Sequence, residues 1–169
     1  GFPRLELMTT SREVQKTMAE AIQGMWKKHL GIHVDIRSCE WTAYKFAQNS
    51  MQYDFSSSSW SGDYLDPSSF LDLWGSASGN NNTGWFHPEY ERLLAESRAT
   101  GDQEKRMALL ARAEALMLSE SPVIPLYWAK RSYLKRPEVR GWHPLVLDNH
   151  LFEDINLDDA REHGKEAAP

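Results

Sequence analysis

Between Trp60 and Pro67 the chain reads Trp-Ser-Gly-Asp-Tyr-Leu-Asp-Pro, the stretch best equipped to hold a ligand. It joins an aromatic plate at Trp60 to Gly62 and to carboxylates at Asp63 and Asp66. A half-buried carboxylate makes a charge-assisted bond to an ammonium group, and an indole packs on a ligand's backbone or carries a cation on its face. The same two aspartates would equally bond turn amides ahead of a helix. A third use is that of paired glycosidase carboxylates beside sugar-stacking tryptophans. Against it, no raised-pKa acid can be matched to a nucleophile, and the chain has no G-x-S-x-G, H-E-x-x-H or P-loop motif. The expectation is a protein that is not an enzyme. His29 and His33 stand four apart, but Gly31 between them breaks a helix, so they should not share a face. His87, His143 and His150 are dispersed and read as caps or surface residues. Neither a metal site nor a cofactor is expected.

Any such loop must be positioned by regular elements, and the first of these are well marked. Arg4–Met8 alternates polar and apolar residues as a strand does. Thr10 and Glu13 have the spacing of a capping box, with Thr10 as N-cap. Val14, Met18, Ala21, Ile22, Met25 and Trp26 then give an apolar face to a helix near Ser11–His29, ended by Gly31. Ile32, Val34 and Ile36 alternate as a second strand, which completes a right-handed βαβ unit. A short helix over Thr42–Ser50 and a strand over Tyr53–Ser58 lead into the Trp60 loop, where an α/β fold places its ligands.

Beyond it come a helical turn over Ser68–Trp74, a Gly-, Ser- and Asn-rich loop over Gly75–Gly84, and two helices. These run near Pro88–Ala99, with proline at the first position, and near Gln103–Ser119, capped by Asp102. Val123–Trp128 reads as an edge strand because Pro125 cannot donate to a ladder, and Ser132–Leu134 as its continuation after a turn. The class is α/β. Residues 1–157 form one domain, and 158–169, charged and aperiodic, read as a disordered tail.

Composition narrows the partners. A net charge of −5, with basic residues scattered among acids, argues against nucleic acid. No apolar run approaches the roughly 18 residues that cross a membrane. The single cysteine, Cys39, excludes an internal disulfide and reads as a small residue near a strand end. Seven tryptophans are a strong enrichment, fit for a core or a ligand cleft. A pure interaction module without a small ligand is the rival from another class, and it requires a closed surface around Trp60.

Trp60–Leu71 resembles the W-x-A/G-D-Y-x-D/E-P-x-x-F signature of family 5 solute-binding proteins, the oligopeptide and dipeptide binders. The resemblance includes Trp26–Val34, Glu40-Trp41, Tyr53-Asp54, Asn80–Asn82, Pro88–Leu93, Ser121–Tyr127 and Pro137–Gly141, in unbroken order from about Leu5 to Asn156. It implies a periplasmic-binding-protein-like lobe of type II, with a mixed sheet flanked by helices, and specifically the carboxy-terminal lobe of a two-lobed protein whose amino-terminal lobe is missing. The implied function is to capture peptides in an interlobe cleft for the permease subunits of an ABC importer. The implied protein is a monomer, periplasmic or attached to the cell envelope, with its export signal removed or outside these residues. Asp63 would pair with the peptide's α-ammonium group, and the main chain around Trp60, Ser61 and Gly62 would bond its backbone as an added strand does. Trp41 would line a side-chain pocket and Trp128 border the cleft. Asp66 stays a turn residue ahead of Pro67.

One departure bears on the ligand. Where similar oligopeptide binders carry basic or imidazole groups facing peptide carboxylates, this chain has Gln15, Gln48 and Ser57. The same fold also serves oligosaccharides, opines and nickel chelates, which stand as alternative ligands.

Overall fold

The structure, a computed structural model, describes residues 2–158. It divides into two compact units, one of Gly1–Ser61 and Pro67–Ile124, the other of Gly62–Asp66 and the chain from Pro125 onward. The tail expected over 158–169 lies, from residue 159, outside the described residues.

In the first unit, strand β1 (Leu5–Thr10) is central and pairs in parallel with β2 (Val34–Cys39) and with the short β3 (Phe55–Ser56), giving the order β2-β1-β3. Leu5 faces Val34 and Thr10 faces Cys39 on one side, and Leu7 faces Phe55 on the other. Strand alternation divides the core. Leu7 points to helix α1 (Glu13–Leu30) and packs with Ala19, Ile22 and Val34. Met8 points the opposite way and packs with Tyr44 and Ala47 of α2 (Trp41–Asn49). Helices therefore cover both faces, as a parallel sheet requires. The described sheet is wholly parallel, and antiparallel pairing is confined to the second unit.

The start of α1 differs from the capping box that the sequence suggests. Thr10 is the last residue of β1, Arg12 holds the N-cap position, and no side chain caps the helix. Pairing with Cys39 holds the backbone at Thr10 extended, and Ser11 prolongs that ladder by donating to the Cys39 carbonyl at 2.8 Å. The ladder thus outcompetes the cap. At the other end Gly31 is left-handed, with φ 68°, and its N–H closes on the Trp26 carbonyl. Lys27, Lys28 and His29 suit the negative end of the helix dipole.

Helices α3 (Ser68–Leu71), α4 (Pro88–Ala99) and α5 (Gln103–Glu120) complete the unit, with a 3₁₀ turn over Asp72–Trp74 after α3. His87 caps α4 by accepting from the Glu89 N–H, and Asp102 caps α5 by accepting from that of Lys105. Tyr90, Leu93 and Leu94 of α4 bury against Leu109, Leu110, Ala113 and Met117 of α5. Each of these leucines and Met117 contributes roughly 1.5–3 kcal/mol by burial. The surface pairs of Arg92 with Glu89 and Glu96 contribute roughly 0–1 kcal/mol each, so the core and not the charges holds this hairpin.

In the second unit, β4 (Val139–Arg140) pairs antiparallel with β5 (Asn156–Leu157). Asp148 binds Arg131 and His150, while Trp142 lies between the rings of Tyr133 and His150. The strands expected at Val123–Trp128 and Ser132–Leu134 do not form: both stretches run without a ladder. Pro122 and Pro125 remove two donors there, and no described strand pairs with these residues.

Candidate functional site

α1 follows β1 on one face of the sheet and α2 follows β2 on the other, so the loops at the carboxyl ends of these neighbouring strands diverge. That switch point is where open α/β sheets bind ligands. Trp41 follows β2 after the N-cap Glu40, as the first residue of α2, and Trp60 lies beyond β3.

A connected set of neutral polar groups lies at this edge. The Tyr44 hydroxyl, on a residue only 2% exposed, donates to the Ser57 carbonyl and lies 2.9 Å from Ser56 Oγ. Gln48 Nε2 donates to the Tyr44 oxygen at 3.2 Å and reaches Ser56 Oγ at 3.4 Å. Ser57 Oγ donates to Gln15 Oε1 at 3.4 Å, which brings in the first turn of α1. The three neutral positions that the sequence singles out, Gln15, Gln48 and Ser57, therefore belong to one network. Sequence reasoning missed Tyr44 and Ser56, which connect them. The signal available for Tyr44 was its place three residues after Trp41 and four before Gln48, on one face of α2.

Trp41 stacks on Tyr44 with ring centres 5.9 Å apart and planes 16° from parallel, yet stays 56% exposed. It is an aromatic surface held in place from behind. Trp60 is anchored differently: its indole N–H donates to the Ser69 carbonyl at 3.0 Å. That bond uses the indole's single donor, so Trp60 can offer a ligand its ring face and its main chain. Ser61 beside it is exposed. Tyr53, just ahead of β3, donates its hydroxyl to the Asn82 carbonyl, and burial pushes its pKa up. Asn81 Nδ2 bonds the carbonyls of Trp74 and Trp85, each at 3.0 Å, so the Asn-rich loop is tied down by its own side chains.

Gly62, Asp63 and Asp66 fall in the second unit, as does Trp128. Asp63 is exposed, and Asp66 donates its N–H to the Tyr64 carbonyl at 2.9 Å in a tight turn. Trp128 is 83% exposed in its strandless segment. Among the described residues no group of three or more His, Cys, Asp or Glu could hold a metal ion, and no helix is long and apolar enough to cross a membrane.

A parallel sheet covered by helices on both faces, with polar and aromatic groups at its carboxyl edge, is an α/β arrangement suited to holding a ligand. The middle-region model of the bacterial extracellular solute-binding proteins of family 5 matches residues 2–82. Over 141 residues, 83% of the chain, it is 35% identical to an oligopeptide-binding protein of Bacillus subtilis, of which it covers 26%. Over 139 residues, 82% of the chain, it is 34% identical to a probable deoxycholate-binding periplasmic protein of Escherichia coli, again covering 26%. Among solved structures, a periplasmic oligopeptide-binding protein of Borrelia burgdorferi superposes with a TM-score of 0.82 at 32% identity, over 93% of this chain and 32% of that one. The chain thus spans about a quarter to a third of the length of these relatives. Family and relatives are substrate-binding transport proteins.

Proposed function

We propose that this chain is the carboxy-terminal lobe of a two-lobed, non-catalytic protein that captures peptides for an ABC importer. The observation that carries this reading is the similarity to oligopeptide-binding proteins over four-fifths or more of the chain, which takes in the Trp60 loop and the network beneath Trp41. In this reading Asp63 pairs with the ligand's α-ammonium group. The main chain of Trp60, Ser61 and Gly62 bonds the peptide backbone, and Trp41 and Trp128 pack against side chains. An amino-terminal lobe closes over the ligand by hinge motion, and permease subunits recognise the closed monomer. The protein acts outside the cytoplasmic membrane, as its periplasmic and extracellular relatives do.

A second reading is favoured by the deoxycholate-binding relative, which matches nearly as well as the oligopeptide binder. In it, the exposed Trp41 face takes an apolar solute, and Asp63 is a loop anchor. Native mass spectrometry of the full-length protein from its host, before and after denaturation, separates the two. A ladder of released peptides supports the first reading; a bound steroid, sugar or chelate, or nothing at all, removes it.

A further inference from the structure

Gln15, Gln48 and Ser57 are neutral, but α2 carries a cation beside Gln48. Lys45 is half-buried, and its ammonium donates to Gln48 Oε1 at 2.7 Å. The same nitrogen lies 5.9 Å from the centre of the exposed Trp41 ring. Lys45 stands four residues after Trp41 and three before Gln48, so the three share one helix face.

The charged groups nearby are otherwise engaged. Glu40, the α2 N-cap, accepts from the Thr42 N–H at 2.8 Å. Arg37 on β2 pairs with Glu6 at 2.8 Å and donates to the Gln52 carbonyl at 2.6 Å. Among the described residues, Lys45 meets one amide oxygen and one aromatic face, neither of them an anion. An ammonium has three donors, so the single bond to Gln48 leaves Lys45 able to donate to a further acceptor. Gln48 is buried and fixed by Tyr44 and Ser56, so it holds Lys45 at the edge of the Trp41 plate.

We propose that Lys45 is a specificity-determining residue that receives a carboxylate of the ligand beside Trp41; the inference rests on the peptide-binding reading above. That carboxylate is either the free carboxy terminus of a short peptide or an acidic side chain of a longer one. Lys45 thus supplies, from a different position on the same helix, a cation where Gln48 has none.

The test uses the full-length protein and three pools of short random peptides: free acids, carboxy-terminal amides without Asp or Glu, and such amides with one Asp or Glu. Competition is read by mass spectrometry of the bound fraction. Wild type should enrich one carboxylate-bearing pool over the neutral amides by about tenfold to a hundredfold, the range of a charge-assisted bond. Which pool is enriched identifies the source of the carboxylate. Lys45→Met should abolish the preference while neutral amides still bind, and Lys45→Arg should keep most of it. Retained selectivity in Lys45→Met, or none in wild type, overturns the assignment and leaves peptide binding standing. Failure of all three pools to bind wild type overturns both.

Discussion

Tyr44→Phe tests the network on which the site is built. The ring of Tyr44 is 2% exposed and packs against Met8 and Ala47, so phenylalanine keeps the shape and opens no cavity. Only the hydroxyl is lost. Three groups then lose a partner: the Ser57 carbonyl, Ser56 Oγ and Gln48 Nε2. Ser56 and Gln48 retain each other at 3.4 Å, which leaves the Ser57 carbonyl as the main orphan. An unsatisfied acceptor costs about 1–3 kcal/mol when buried, and Ser57 is half-buried, so the expected loss lies at the low end, about 1 kcal/mol. Tyr44→Ala would add a cavity and reach about 3–5 kcal/mol. Urea unfolding with α2 and β3 followed by hydrogen exchange should show the midpoint falling for Tyr44→Phe at constant slope. The amides of Ser56 and Ser57 should lose protection first. A loss under about 0.5 kcal/mol would refute the reasoning, because the hydroxyl would then not tie β3 to α2.

In the full-length protein Asp63→Asn should weaken peptide binding by roughly 1.5–3 kcal/mol, the worth of a charge-assisted bond, and calorimetry showing unchanged affinity would reduce Asp63 to a loop anchor. Gly141 has φ 75°, and a Cβ there would meet the Asp154 carbonyl oxygen at 1.8 Å, so Gly141→Ala should break the β4–β5 pairing. The hydrogen-exchange protection of the Asp158 amide, which donates across the pair to the Glu138 carbonyl at 2.8 Å, reports it. The Arg92 guanidinium beside Glu89 holds that carboxyl below its usual pKa, with Arg112 adding to the effect. The unfolded chain therefore takes up the proton more readily than the folded one. The stabilisation is present above the ordinary glutamate range and is lost as pH falls through the lowered folded value. Glu89→Gln should flatten the acid limb of the stability profile, and salt should shrink the difference from wild type.

Much of the frame was legible because it is local. Apolar spacing and an obligatory left-handed glycine marked α1, and His87-Pro88 and Asp102 marked the starts of α4 and α5 where they occur. The alternation of β1 likewise fixed which residues would share a face, since neighbouring side chains of a strand cannot do so. The Trp60 loop and the neutral positions Gln15, Gln48 and Ser57 were also visible as residue types in order along the chain. What the sequence could not rank was competition between local and distant partners. Thr10 had the spacing of a cap, but pairing with Cys39 across the sheet drew it into β1. Val123–Trp128 had strand composition, but a strand exists only where a neighbour offers a ladder. Tertiary structure alone linked Gln15 to Ser57, 42 residues away, and Tyr44 to Ser57, 13 residues away. Side-chain hydrogen bonds act over about 3 Å, and only the folded backbone brings such distant groups within that reach.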